Sequence, residues 1–386
     1  MVIDELIQHF CPNGARYAEL GQVVTFTDGF PFSSGIFVEE GAYQIVKITD
    51  IFGGKVNRGK TYINSLPDKL KSDQLLVGGE ILIAMSGSTG KTGYNELKNV
   101  VVNQRIAILR STSSIDNGFL KHLIVNKSFE EYCLKNGTGP QNNISKSLIL
   151  KYRIPLPPLA VQQEIVRILD SFTELTAELT AELTSRRKQY EHYRDELLTS
   201  YISDSTVYLP LEKCCKILDN KRKPVTKAAR EAGKYPYYGA NGIQDYVSNY
   251  IFDGTFVLVG EDGSVITAAG NPVVTWAEGQ IWVNNHAHII EEIDGVSLRY
   301  LYHYLQTVNV TKLIHGNIPK LTGTDFRAIP IPAVPSSAQT EIVQMLDCFD
   351  AICNDLTSGL PAEIEARQKQ YEYYRDKLLT FKELER

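Results

Sequence analysis

The chain has 386 residues, 43% of them hydrophobic, which is enough to bury more than one core and to form two to three domains. No run approaches the 18 apolar residues of a membrane span. The start Met1-Val2-Ile3-Asp4-Glu5-Leu6 lacks the basic opening of a secretory signal, and Cys11, Cys133, Cys214, Cys215, Cys348 and Cys353 contain no Cys-x-x-Cys pair, so neither a disulfide framework nor a zinc site is expected and a cytoplasmic location is. A net charge of −5 argues against a free-standing nucleic-acid binder, but it is unevenly spread: +3 over residues 1–153, −3 over 154–203, −1 over 204–328 and −4 over 329–386.

In chain order, residues 1–153 read as short strands and turns. Tyr43 to Ile48 alternates as a half-buried strand does, Glu80 to Met85 is a short apolar run ending in a Ser/Gly/Thr turn, and Val100 to Leu109 is a further strand. Phe119 to Leu134 has helical spacing and closes at Gly137. Residues 204–328 repeat this order: Thr255 to Gly260 matches the first apolar run, Ile281 to Ile290 the second strand, and Leu298 to Val310 the helix. Prolines end each globular stretch, Pro155, Pro157 and Pro158 in the first and Pro330, Pro332 and Pro335 in the second.

A long helix is predicted after each proline step. One runs from Leu159 to Leu198, with Ile165, Ile168, Leu169, Phe172, Leu175, Leu179, Leu183, Tyr190, Tyr193 and Leu197 as its stripe. The other carries Ile342, Leu346, Phe349, Ile352, Leu356, Leu360, Ile364, Tyr371, Tyr374 and Leu378. Steps of three and four residues make a narrow seam, so the helices are expected to pack on each other, antiparallel. Pro361, in Ser358-Gly359-Leu360-Pro361, predicts a kink or break in the second. The two also repeat each other in sequence. Gln163-Glu164-Ile165-Val166 and Leu169-Asp170-Ser171-Phe172 return as Thr340-Glu341-Ile342-Val343 and Leu346-Asp347-Cys348-Phe349. Lys188-Gln189-Tyr190-Glu191-His192-Tyr193-Arg194-Asp195 returns as Lys369-Gln370-Tyr371-Glu372-Tyr373-Tyr374-Arg375-Asp376. The first helix also repeats within itself, as Thr176-Ala177-Glu178-Leu179 and Thr180-Ala181-Glu182-Leu183. Two similar halves in one chain imply pseudo-two-fold symmetry.

Few motifs carry chemistry. Ser86-Gly87-Ser88-Thr89-Gly90-Lys91-Thr92 suggests a phosphate-binding loop, but that motif needs Gly at position 85, which is Met, and no helix pattern follows. It reads as a strand-to-strand turn, or as a basic loop whose amides and Lys91 meet DNA phosphate. His286-x-His288 would need further metal ligands, and none is evident at suitable spacing. Pro67-Asp68 with Glu80 lacks the Lys of a nuclease cluster, since position 82 is Leu. No Asn/Asp-Pro-Pro-Tyr/Phe methyltransferase motif exists; Asn271-Pro272-Val273-Val274 fails it. No Gly-x-Gly-x-x-Gly opens a helix after a strand, and no Gly-x-Ser-x-Gly elbow is present. The chain reads as non-catalytic.

What remains are basic and amide-rich loops. They hold Lys55, Arg58 and Lys60; Gln141, Asn142, Asn143 and Lys146; Lys221, Arg222 and Lys223; Asn241 and Gln244; and Asn317 and Lys320. Asn and Gln can pair with an adenine edge and Arg or Lys with guanine, although most such loops taken singly are solvated turns. Two of them, before the two proline steps, occupy matching places in the two halves.

Taken together, the paired Glu-Ile-Val…Leu-Asp-x-Phe and Lys-Gln-Tyr-Glu-x-Tyr-Arg-Asp segments, the Thr-Ala-Glu-Leu repeat, Gly79 to Gly87 and Ile154 to Leu159 resemble the specificity subunit of a type I DNA restriction-modification enzyme, across essentially the whole chain. The resemblance implies an α+β fold in which two mostly β target recognition domains, 1–153 and 204–328, are separated by long helical spacers, 154–203 and 329–386, packed as an antiparallel coiled coil. It implies that each domain reads one half of a bipartite DNA site and that the helices set the half-site separation and dock two methyltransferase subunits; Arg186, Tyr190, Tyr193, Arg367, Tyr371 and Tyr374 are the expected docking residues. S-adenosylmethionine, ATP and Mg would belong to the modification and restriction subunits, with no cofactor in this chain. The competing expectation is a coiled-coil adaptor with two protein-binding lobes and no DNA contact. A stand-alone methyltransferase lacks its motifs.

Overall fold

In the computed structural model, residues 3–263, 265–354 and 358–384 are described. The chain forms two compact units, Met1–Glu178 with Glu365–Arg386, and Leu179–Ile364. Each therefore holds a globular part together with a piece of both helical segments.

The first unit is built on a six-stranded sheet in the order Val24–Asp28, Ile106–Ser111, Ile81–Ala84, Thr92–Tyr94, Lys55–Val56, Ile51–Phe52. All neighbours are antiparallel except Lys55–Val56 against Thr92–Tyr94, which is parallel. The second unit repeats this plan as Lys216–Ile217, Ala287–Glu291, Phe252–Gly260, Val274–Val283, Ala232–Gly239, Gly242–Val247. The single parallel pair falls at the same place, Ala232–Gly239 against Val274–Val283. The first unit adds a four-stranded sheet, Tyr62–Ile63, Tyr43–Val46, Val100–Val102, Leu75–Leu76. The central strands Ile81–Ala84 are buried on both faces, which explains their unbroken apolar sequence.

Four predicted elements are shorter than the sequence pattern suggested. The helix read over Phe119 to Leu134 is two helices, Asn117–Ile124 and Lys127–Asn136. Asn126 breaks the pattern because its side chain accepts from the Phe129 amide at 3.0 Å and caps the second helix. The helix read over Leu298 to Val310 stops at Leu305. The strands read through Val100 to Leu109 and Ile281 to Ile290 are each cut by a turn, at Asn103–Arg105 and at Asn284–His286. The predicted long helix is Leu159–Ser200. The second helical segment is broken as Pro361 implies, into Ser336–Asn354 and Leu360–Leu379; Leu356 of its stripe lies outside the described residues.

The repeated helix motifs turn out to dock each globular part onto its helices. In the first unit, buried His122 sits between Asp170 (Nε2 to Oδ1, 3.0 Å) and the Tyr371 hydroxyl (Nδ1 to O, 3.1 Å). In the second, buried His303 sits between Asp347 (2.8 Å) and the Tyr190 hydroxyl (3.0 Å). The glutamines of the motif match as well. Gln162 accepts from the Asp116 amide and donates to the Pro157 carbonyl, both at 2.8 Å. Gln339 accepts from the Ser297 amide and donates to the Val334 carbonyl, again at 2.8 Å. Phe172 stacks on Tyr374 and Phe349 on Tyr193, with centroids 5.4 and 5.5 Å apart. In the second unit Tyr193 meets Phe349 while Arg187 reaches the Cys353 carbonyl, so the paired helices there run antiparallel.

Of the motif tyrosines expected to face a partner, Tyr190 and Tyr371 turn their hydroxyls inward within their own units. Tyr190 is 5% exposed and lies in the core of its unit with Leu298, Leu301 and Leu346. Burial pushes its hydroxyl pKa well up, and that of Tyr371 is raised for the same reason. Both hydroxyls are engaged inside their own unit. Tyr193 and Tyr374 are exposed at their edges but give a ring face to Phe349 and Phe172. Arg186 is bonded to Glu182 and Gln189 along its own helix, and Arg367 to Gln370.

Candidate nucleic-acid interface

Three turns meet at one end of each six-stranded sheet, tied by backbone hydrogen bonds. In the first unit the Met85 amide donates to the Arg105 carbonyl at 2.8 Å, and the Met85 carbonyl accepts from the Ile144 amide at 3.0 Å. The Gly87 amide then reaches the Gln141 carbonyl at 3.2 Å, and the Thr89 hydroxyl bonds to the Asn142 carbonyl. The turn 85–91, the turn 103–105 and the loop 138–146 thus form one surface. In the second unit the Glu261 amide donates to the His286 carbonyl at 2.8 Å, the Glu261 carbonyl accepts from the Leu321 amide at 2.8 Å, and the Gly263 amide donates to the Pro319 carbonyl at 3.0 Å. A capped short helix follows in both: Ser145 accepts from the Leu148 amide and Thr322 from the Asp325 amide. Met85, Arg105 and Ile144 therefore correspond to Glu261, His286 and Leu321.

The Ser86–Lys91 turn is followed by the strand Thr92–Tyr94, as the strand-to-strand reading requires, and not by a helix. Gly87 and Gly90 have φ of 79° and 82°. At Gly90 a Cβ would lie 2.6 Å from that of Cys133, so the turn packs against the helix Lys127–Asn136 at a distance only glycine permits.

Of the residues singled out in the sequence, Lys91, Gln141, Asn142, Asn143 and Lys146 come together on the first surface, and Asn317 and Lys320 lie on the second. Gln141, Asn143, Lys146, Asn317 and Lys320 are exposed, and Lys91 is half-buried with its Nζ 3.4 Å from the Ile48 carbonyl. Asn142 is otherwise engaged. It holds φ of 48°, and its side-chain amide donates to the Leu134 carbonyl, closing the end of a helix. Lys55, Arg58 and Lys60 are exposed on and after the edge hairpin of the first sheet. In the second unit, Asn241 is at the tip of the edge hairpin, and Gln244 on its outer strand lies 3.4 Å from the Asn284 amide. Lys221 and Lys223 are exposed.

Arg222 is not available to a ligand. It bonds to Glu261 and the Ala287 carbonyl, both at 2.6 Å, and to the Asp219 carbonyl at 3.0 Å, with its side chain 11% exposed. His288 joins this cluster, 2.7 Å from Asp219 and 3.6 Å from Glu261, with its ring stacked on Phe326. Folding therefore supplies the carboxylates that the sequence did not place near His288. Arg222 and Lys320, 3.2 Å from Glu261, already balance their charge. The second reading discounted above, Glu80, is a structural carboxylate: it accepts from the amides of Val77 and Gly78 and from Asn95.

The sequence reading missed the turns Asn103-Gln104-Arg105 and Asn284-Asn285-His286. Asn103 Oδ1 accepts from the Arg105 amide at 3.4 Å, and Asn284 Oδ1 from the His286 amide at 2.8 Å. The signal was the match of Val102-Asn103-Gln104-Arg105 with Val283-Asn284-Asn285-His286, hidden by reading one strand through each. The two surfaces differ in charge. The three turns of the first carry Lys91, Arg105 and Lys146 and no acid; in the second, Asp262 bonds to His286 and Glu261 to Lys320 and Arg222.

Two like units of one α+β plan, each ending in the same composite of turns, define a duplicated recognition fold. Residues 12–186 and 208–366 match the type I restriction modification DNA specificity domain, and the chain belongs to that family. It is 45% identical over 180 residues to the Haemophilus influenzae type I restriction enzyme specificity subunit S.HindORF215P, covering 45% of this chain and 46% of that protein. It is 31% identical over 256 residues to the Escherichia coli EcoR124I/EcoR124II specificity subunit, covering 59% and 63%. The match to the Escherichia coli EcoprrI specificity subunit is 30% over 309 residues and 75% of each chain. The first two relatives are thus spanned over about half to two thirds of their length. The S subunit of a type I restriction-modification system from M. genitalium has the same fold at 18% identity, with a TM-score of 0.61 over 95% of this chain and 96% of that one. Among the described residues no helix is long and apolar enough to cross a membrane.

Proposed function

We infer that this chain is the sequence-specific DNA-recognition subunit of a type I restriction-modification complex. Each unit reads one half of a bipartite site. The observation that carries the reading is the duplication of one sheet and one composite of turns, with Gln141, Asn143 and Lys146 on one copy and Asn317 and Lys320 on the other. A weak reader of one half-site gains from being tethered to a second, because the second contact forms at high effective concentration. The chain is non-catalytic: chemistry belongs to two methyltransferase subunits with S-adenosylmethionine, and translocation and cleavage to restriction subunits with ATP and Mg. The near-neutral globular parts suit a subunit whose DNA is also held by its partners. The adaptor reading without DNA contact has no support from the family match.

The test is to express the full chain with a cognate modification subunit and map adenine methylation in the host DNA. A single bipartite motif is expected, with salt-dependent binding of duplexes carrying it. Methylation without any motif, or methyl transfer by the purified chain alone, would overturn the reading.

A further inference from the structure

We propose that Gln104 in the first unit and Asn285 in the second are matched base-edge contacts, each pairing with an adenine in the major groove of its own half-site. The proposal deepens the DNA-recognition reading and rests on it. Both residues are the middle residue of a three-residue turn between two strands, and both are exposed. Each turn is locked from within, by Asn103 bonding the Arg105 amide and by Asn284 bonding the His286 amide. The side chain between is thereby presented on a rigid part of the sheet end, as precise recognition requires.

The neighbours differ in what is left to them. Asn142 is bonded to Leu134, Gln244 lies against Asn284, and Lys320 pairs with Glu261. Among the described residues the carboxamides of Gln104 and Asn285 have no hydrogen-bond partner. A free carboxamide offers one donor and one acceptor side by side, the complement of adenine N7 and N6. The same register in both units, Gln104 after Asn103 and Asn285 after Asn284, places one such group at each sheet end. Arg105 beside Gln104, with Lys91 and Lys146 on the adjoining turns, supplies the positive charge that would hold the phosphates around it.

The experiment uses the full chain expressed with its modification subunit. Q104A is expected to make the methylated motif degenerate at one base pair of one half-site, and N285A at one base pair of the other. Competition between duplexes should show discrimination at that pair reduced roughly 10- to 100-fold. Gln104→Glu keeps the shape but exchanges the donor for a second acceptor, so it should move preference at the same pair from adenine toward cytosine. Thermal melting identical to wild type confirms that each variant is folded; should either alanine variant fail to fold, the glutamate variant carries the test. An unchanged motif, or weakening that is equal on every duplex, would overturn the assignment, the latter marking a phosphate contact. A wild-type chain yielding no bipartite motif would instead refute the DNA reading itself.

Discussion

The buried histidine of the first unit makes a quantitative test of how that unit is held together. His122 Nε2 faces the Asp170 carboxylate, so it donates, and Nδ1 then accepts from the Tyr371 hydroxyl. That is the neutral ring with both nitrogens satisfied. Adding a proton at Nδ1 would place a positive charge on a side chain only 2% exposed and oblige the Tyr371 hydroxyl to turn from donor to acceptor. Burial, with the adjacent Lys121 charge, lowers the pKa from 6.5 to about 4 despite the opposing pull of Asp170. The unfolded chain takes up the proton below about 6.5 and the folded chain does not until about 4. Stability from this group is therefore complete above neutral pH, falls as pH drops from about 6.5 to 4, and is lost to the extent of about 3 kcal/mol below that, at ~1.4 kcal/mol per pH unit. By pH 5 the loss is about 2 kcal/mol. His303 between Asp347 and Tyr190 is also shifted down by burial and acts with the same sign.

The assay is urea unfolding of wild type and His122→Gln between pH 7.5 and 5. Other groups titrate in this range, so the informative quantity is the difference between the two proteins. The variant should be less stable at pH 7.5, and the gap should shrink by about 2 kcal/mol at pH 5. Histidine-selective NMR gives the same quantity directly, as a ring that stays neutral at pH 5. A gap that does not change with pH, or a His122 signal titrating near 6.5, would refute the docking argument.

Tyr371→Phe and Tyr190→Phe should each destabilise the chain by ~1–3 kcal/mol, because a buried histidine nitrogen loses its partner; equal melting of variant and wild type would count against the pairing. Arg222→Ala leaves Asp219 and Glu261 close together without their guanidinium and should cost ~3–5 kcal/mol, with Glu261→Gln in the same background recovering part of it, as read by denaturant melts. Inserting one more Thr-Ala-Glu-Leu unit into Leu159–Ser200 adds about 6 Å of helix and keeps the leucine row, so methylation mapping should return the same half-sites with a spacer one to two base pairs longer. An unchanged spacer would separate these helices from any role as a ruler.

The sequence made the large pattern legible because periodicity and repetition survive without tertiary information. The long helix over Leu159–Ser200, the break before Pro361 and the paired globular parts were all readable. What it could not convey was which way the repeated residues face. A tyrosine in Lys-Gln-Tyr-Glu reads equally well as an exposed docking group or as a core group, since the helix alone does not say what lies beside it. His122 and His303 settle that; the short helices that carry them, Phe119-Leu120-Lys121-His122 and Tyr300-Leu301-Tyr302-His303, share an aromatic, the Leu and the His, but lie far along the chain from the tyrosines they meet. The strands were over-read for a related reason. Val100 to Leu109 is apolar at both ends, and a window that averages over it conceals a three-residue turn held by one asparagine side chain.

These two failures point to how recognition and assembly are separated in this protein. The motifs most alike between the halves, Gln162 with Gln339, Asp170 with Asp347 and Tyr371 with Tyr190, are engaged in holding each sheet to its helices. Their bonds differ by no more than 0.2 Å between units. The residues that differ, Asn143 against Lys320 and Gln104 against Asn285, project from turns whose backbone bonds match. A scaffold fixed in this way tolerates exchange of the exposed turn residues, because their side chains contribute little to the core. Exchanging Gln104 for another polar residue should thus alter what is read and leave the melting temperature where it was, whereas the same exchange at Gln162 removes bonds to the Asp116 amide and the Pro157 carbonyl and should lower it.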